Sequence, residues 1–202
     1  MSQRDPVRVG TAGWSVPGRY LAEFPAGDTH LERYAREFPV VEIDTSFYRH
    51  HQRATYARWA ASVGEEFRFA VKTPKALTHE GNLHAGASAT RDRFLAEVDG
   101  LGAKLSVLLV QLPPSLVFDE TATAFFADLK RALPPTVQIA CEPRNLTWST
   151  AEANDLLIGS SVSRVAADPA RWEGNALPAG DQSLAYFRQR PYVAQQTGRR
   201  AR

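Results

Sequence analysis

At 202 residues the chain is long enough for one sizeable domain core, and nothing in it calls for two. Its 44% hydrophobic and 23% charged residues match an ordinary globular protein, and no apolar run reaches the ~18–20 residues of a membrane span. The net charge of +2 hides an uneven distribution: Arg188, Arg190, Arg199, Arg200 and Arg202 sit in a terminal stretch without acids, so the rest of the chain is net negative.

Strand-like and helix-like segments alternate along the chain, the pattern of an α/β fold with a parallel sheet. Val7 to Thr11 is a short first strand that runs into the turn Ala12-Gly13-Trp14. From His30 to Phe38 the residues Leu31, Tyr34, Ala35 and Phe38 recur at helical spacing; Asp28 or Thr29 caps this helix and Pro39 stops it. The second strand is Val40 to Asp44, followed by a helix from about Ala54 to Val63 with Tyr56, Trp59, Ala60 and Val63 in its apolar stripe. The third strand, Phe67 to Lys72, leads into a long polar connection, Thr73 to Ala87.

A helix over Ala89–Leu101 precedes the fourth strand, Leu105 to Leu112, which ends at Pro113-Pro114. A helix from about Asp119 to Leu133 carries Ala122, Phe125, Phe126 and Leu129 on one face. The fifth strand is Val137 to Glu142, and Ser149-Thr150-Ala151-Glu152 reads as a capping box for a helix to Ile158. Val162 to Ala167 and Leu184 to Arg188 complete seven strands. These features predict a TIM-like (β/α) barrel that is incomplete, with about seven parallel strands and the eighth missing.

Several of these strands finish on a polar or charged residue: Glu42 and Asp44, Lys72, Gln111, Glu142 with Arg144, and Arg188. Such an end is costly unless it opens onto solvent or a ligand. In a parallel barrel the C-terminal ends meet at one mouth. Parity sharpens the picture. Phe67, Phe69 and Val71 share one face of the third strand and Arg68, Ala70 and Lys72 the other; Val137, Ile139 and Cys141 likewise oppose Gln138, Ala140, Glu142 and Arg144. The apolar faces suit packing on helices, and the small-then-polar faces suit a lumen and its mouth.

The motifs resemble those of the YecE-like family, a domain of unknown function whose members look like β/α barrels. The matching pieces are Gly10-Thr11-Ala12-Gly13-Trp14, Val41 to Tyr48, Phe67 to Pro74, Thr78-His79, Lys104-Leu105, Gln111-Leu112-Pro113-Pro114, Glu142-Pro143-Arg144 with Trp148, and Ala167-Asp168. They occur in family order over roughly residues 7 to 188. The family pattern has Asn where Asp44 stands, His where Asn145 stands, and Tyr-x-Arg-x-His-Gly where this chain reads Tyr186-Phe187-Arg188-Gln189-Arg190-Pro191. Beyond Arg188 the resemblance stops, whereas the family pattern continues for a further strand and a helix or two. Residues 1–188 are therefore expected to form the barrel domain, and 189–202 a basic, non-homologous or disordered tail of a truncated or frame-shifted member. The resemblance implies the fold more strongly than any activity.

Glu42 and Glu142 are the foremost acid/base candidates, since two carboxylates across a mouth serve as acid and base or as nucleophile and acid. The competing reading pairs each with Arg144 or Lys72, because buried charges are normally compensated. Lys72 is either a Schiff-base nucleophile or, as favoured here, a charge partner held protonated by the acidic residues. Arg144 and Arg188 suit bidentate recognition of a carboxylate or phosphate, or salt bridges across the lumen. Trp14, Tyr48 and Trp148 follow strand ends and either stack a ligand or pack in the core or rim. Gln111 and His79, with the motif residues Thr11, Asp44 and Asp168, complete the expected ligand-binding set.

His50, His51, His79 and His84 match no recognised ligand spacing, so no metal is expected. Gly10-Thr11-Ala12-Gly13 lacks the length and Lys of a phosphate loop, and no cofactor is expected. Cys141 shares parity with Ile139 and reads as buried and inert. A lone cysteine and an N-terminus without an apolar signal segment point to the cytoplasm. With no aromatic–basic platform, nucleic acid is not an expected partner. The partners expected are a small-molecule ligand and, through unpaired barrel edges, other copies of the chain. The functional expectation is an acid/base enzyme acting on a small, polar, anionic metabolite; the alternatives are a non-catalytic ligand-binding or interaction protein and a metal-dependent hydrolase or isomerase using His79 with the acidic residues.

Overall fold

Apolar segments of period two form a parallel sheet here, and the segments of helical period cover its outer face. The structure, a computed structural model, describes residues 7–81, 83 and 88–189. The strands are β1 (Gly10–Ala12), β2 (Val40–Ile43), β3 (Arg68–Lys72), β4 (Leu105–Gln111), β5 (Gln138–Glu142), β6 (Val162–Arg164), β7 (Ala166–Asp168), β8 (Ala179–Gly180) and β9 (Phe187–Gln189). The α-helices are α1 (His30–Ala35), α2 (Arg53–Ala61), α3 (Ser88–Val98), α4 (Thr121–Ala132) and α5 (Ala151–Gly159). One sheet has the order β1-β2-β3-β4-β5-β6-β8, parallel through β6, and β7 and β9 form a separate parallel pair.

Local chemistry explains the helix starts. Thr29 accepts a hydrogen bond from the Glu32 amide while Glu32 reaches back to the Thr29 amide, a full capping box for α1. Thr150, and not Ser149, caps α5 by accepting from the Ala153 amide. The helix after the polar connection ends at Val98 rather than Leu101, and a 3-10 segment, Asp99–Lys104, follows it. Gly100 lies so close to α2 that a Cβ there would stand 2.3 Å from the Arg53 carbonyl oxygen, a contact no side chain tolerates.

The first strand is shorter than expected. Val7 and Val9 lie largely exposed, and only Gly10 to Ala12 pair with β2. Among the described residues nothing pairs with the other edge of β1. The sixth expected strand is interrupted at Val165. The Val165 amide still donates to Cys141 on β5, but the Ala166 amide donates to the Tyr186 carbonyl, handing the chain from β5 to β9. A short antiparallel strand, β8, occupies the edge of β6 and departs from the all-parallel expectation. The expected tail, apart from Gln189 in β9, lies outside the described residues.

Two apolar cores result. The larger lies between sheet and helices and contains Val41, Ile43, Phe69, Val71, Leu108, Val110, Ile139 and Cys141. The smaller fills the lumen with Ala70, Val107, Leu109, Ala140 and Val165, against which Leu184 and Tyr186 pack. Alternate residues of β3, β4 and β5 therefore divide as strand parity demands. Among the described residues no helix is long and apolar enough to cross a membrane.

Candidate functional site at the barrel mouth

The parity that sends Ala70, Leu109 and Ala140 into the lumen sends Lys72, Gln111 and Glu142 there two residues later, and Glu42 opposes Val41 and Ile43 in the same way. All four polar residues are buried, with Glu42 at 7%, Lys72 at 7%, Gln111 at 3% and Glu142 at 3% exposure. A charged layer this deep requires internal compensation.

Arg188 of β9 provides most of it. Its Nε and Nη2 each donate to Glu42 at 3.0 Å, while Nη1 donates to Glu142 Oε2 at 3.1 Å. One guanidinium thus bridges both carboxylates, bidentate on Glu42, and they in turn raise its pKa against the opposing effect of burial. Tyr186 adds a hydrogen bond from its hydroxyl to Glu42 Oε2 at 3.0 Å. On the other side Gln111 Nε2 donates to Glu142 Oε2 at 2.7 Å, and Arg144 donates through Nε and Nη2 to Oε1 at 3.3 and 3.4 Å. Burial and the neighbouring Glu42 charge push the Tyr186 phenol well above its ordinary value, so it remains a donor.

Lys72 corrects the sequence reading. No ion pair joins it to any described carboxylate, because Arg188 already occupies Glu42 and Glu142. Its ammonium stands 3.7 Å from the centroid of the Phe47 ring instead. Burial foremost, and then the Arg188 charge, lower its pKa; Glu42, Glu142 and Asp44 oppose this without overcoming it. His79 completes this side of the mouth. Its ring meets Phe47 edge-on at 4.9 Å and its Nδ1 lies 2.8 Å from the Thr78 hydroxyl. Burial and then Lys72 lower its pKa, which keeps the imidazole neutral at pH 7.

The remaining candidates divide. Tyr48 is 72% exposed and leans edge-on against Phe47, at the rim of the cluster. Asp44 is half-buried after β2 and acts on Lys72 by its charge alone. Thr11 is turned away, its hydroxyl donating to the Gly13 carbonyl at 2.6 Å and lying 3.2 Å from the Tyr34 hydroxyl. Trp14 packs edge-on against Trp59 at 5.0 Å beside the helix-side core. Trp148 is 1% exposed and donates its Nε1 proton to the Leu116 carbonyl, so it is a core residue with no ligand face. Asp168 ends β7 opposite Gln189, and its carboxylate bonds to none of the cluster.

Two participants were missed from sequence, Tyr186 and Phe47. Tyr186 shares the strand parity of Arg188, which was signal enough to find it. Phe47 lies in a turn after β2, where parity gives no direction.

His50 bonds to Glu97 and His51 to Thr45, and His84 is outside the described residues. Among the described residues no three metal-ligating side chains come together. Two open clefts, of about 360 and 550 Å³, lie on the exterior, one beside Gly27, Arg36 and Ser62 and the other between α4 and α5. Neither is lined by a mouth residue.

The comparisons agree with this architecture. The model of the family "Protein of unknown function DUF72" matches residues 8–198. The chain is 25% identical over 147 residues to the UPF0759 protein YunF of Bacillus subtilis, covering 70% of this chain and 52% of that protein. It is 31% identical over 108 residues to the UPF0759 protein YecE of Escherichia coli, covering 53% and 38% respectively. The chain thus spans about half or less of the length of these curated relatives. A crystal structure of a DUF72 family protein from Enterococcus faecalis superposes with a TM-score of 0.74 at 23% identity, over 93% of this chain and 72% of that one. A second, from Thermotoga maritima, gives 0.66 at 22% identity over 90% and 73%. At such identity these structures establish the fold alone, whereas the match along almost the whole sequence establishes kinship: the chain belongs to the DUF72 family of proteins of unknown function, the YecE-like group that its motifs resemble.

Proposed function

We propose that the barrel mouth binds a small polar anion and performs acid/base chemistry on it. The observation that carries this reading is Lys72, a buried ammonium with no carboxylate in ion-pair range among the described residues. A buried cation seeks a counter-charge, and Glu42 and Glu142 are already bonded to Arg188. An incoming carboxylate or phosphate supplies it. Arg144 is the second cation of the subsite, since its contacts to Glu142 are long. Glu42 and Glu142 are the proton-transferring groups, with Gln111 and Arg188 as positioning residues. The neutral imidazole of His79, edge-on to Phe47, is a further proton acceptor.

The test is a binding screen of small carboxylates and phosphates by calorimetry, repeated with Lys72→Met and Glu142→Gln. Lys72→Met is expected to weaken binding at least tenfold. Glu142→Gln should retain binding and lose turnover. Undiminished anion binding by Lys72→Met would overturn the assignment. The bridging of both carboxylates by Arg188 favours, as the alternative, a ligand-binding protein without turnover; recovery of the bound ligand chemically unchanged by the wild-type chain would select it.

A further inference from the structure

Arg164 ends β6 on the parity of Val162, facing the helix-side core and away from the mouth, and is 9% exposed. Its Nη2 donates to the Gly174 carbonyl at 3.2 Å, and its guanidinium carbon lies 5.9 Å from the centroid of the Trp172 ring. Its Nε is buried and makes no hydrogen bond. No described carboxylate pairs with it, although Asp168 and Glu173 belong to the adjoining segment. Cys141, the titratable neighbour on β5, carries no charge at pH 7, because burial raises its thiol pKa far above neutrality. An uncompensated guanidinium in this position is strongly penalised.

A second orphan donor lies in the segment that Arg164 bonds. Asn175 is fully buried, its Oδ1 accepts from the Arg171 amide at 3.0 Å, and its Nδ2 makes no hydrogen bond. The carbonyl that Arg164 grips belongs to the peptide group joining Gly174 to Asn175, so the two residues are tied to neighbouring stretches of the same segment. Every other residue from 169 to 178 is at least partly exposed, so one thin layer of chain covers the pair.

We propose that β6 and the segment 169–178 form a binding site for a small oxyanion, a carboxylate or phosphate group, separate from the barrel mouth. The oxyanion accepts from Arg164 Nε and Asn175 Nδ2 and supplies the negative charge the guanidinium lacks. A bridging water satisfies the same donors but not the charge, which is why an anion is the ligand class. Trp172 forms the wall of the site and reports its occupancy.

The test is thermal melting of the whole chain in sodium phosphate and in sodium acetate, each against sodium chloride at equal ionic strength. A saturable rise of about 3–5 °C is expected at ten times the half-saturating concentration, with a tryptophan fluorescence change of the same midpoint that Trp172→Phe removes. A rise with phosphate alone identifies a phosphoryl ligand, and one with acetate alone a carboxylate. Asn175→Asp replaces the orphan donor with an internal counter-charge; it should melt in chloride at or above the wild type and lose the anion response. Arg164→Gln should lose the response as well. The melts are run in the Lys72→Met background, which weakens the anion site of the mouth. Coincident titrations in all three salts there would overturn the proposal, as would a response retained by either variant, which would mean an adventitious ion only.

Discussion

Arg188→Met is the perturbation with the largest expected effect at the mouth. The substitution keeps most of the aliphatic stem and removes three charge-assisted hydrogen bonds at 3.0 to 3.1 Å. Arg188 and its partners Glu42 and Glu142 have side chains 17%, 7% and 4% exposed, so solvent offers little screening. Breaking a buried pair from one side costs about 3–5 kcal/mol, because the partner charge remains buried. Here two carboxylates are left facing each other, which places the loss at the upper end. For a chain of this size that corresponds to a fall in melting temperature of roughly 10–20 °C. The assay is urea denaturation followed by circular dichroism at neutral pH. Adding Glu42→Gln should restore part of the stability, since Glu142 keeps Gln111 and Arg144. A single variant within ~1 kcal/mol of the wild type, near the value of an exposed pair, would refute the idea that Arg188 closes the mouth.

The lowered pKa of Lys72 predicts that stability rises with pH across the alkaline window between its folded value and the ordinary lysine value of 10.5, because the unfolded chain binds the proton more tightly there; Lys72→Met should flatten that slope in denaturation curves taken at several pH values. Cys141, 0% exposed with its thiol pKa raised by burial, should resist alkylation until the protein unfolds, so fast native-state labelling by mass spectrometry would contradict its placement. Trp148→Ala should cost about 3–5 kcal/mol by urea denaturation, as a 1%-exposed indole is replaced by a cavity, without altering anion binding at the mouth. The unpartnered edge of β1 among the described residues predicts concentration-dependent association by sedimentation velocity, reduced when Val9, exposed at 64%, is changed to Lys.

What could be read in the sequence is what strand geometry dictates locally. Alternation along Phe67–Lys72 and Val137–Glu142 assigns each side chain to lumen or helix side, and so sets Lys72 and Glu142 on the face of Ala70 and Ala140. Helix spacing and caps work over the same short range, which is why α1 begins at a legible box on Thr29. Parity gives out where strands end. Nothing local directs Trp14 toward Trp59 or buries Trp148 beneath Phe118, and both left the expected site for that reason. The charge pairing at the mouth was likewise a tertiary decision. Glu42 meets Arg188 across 146 positions of sequence. Charge alone makes Lys72, Arg144 and Arg188 equal candidates for the two carboxylates. Only the hand-over of the chain from β5 to β9 at Val165 puts Arg188 between them, and that leaves Lys72 over the Phe47 ring without an ion pair among the described residues.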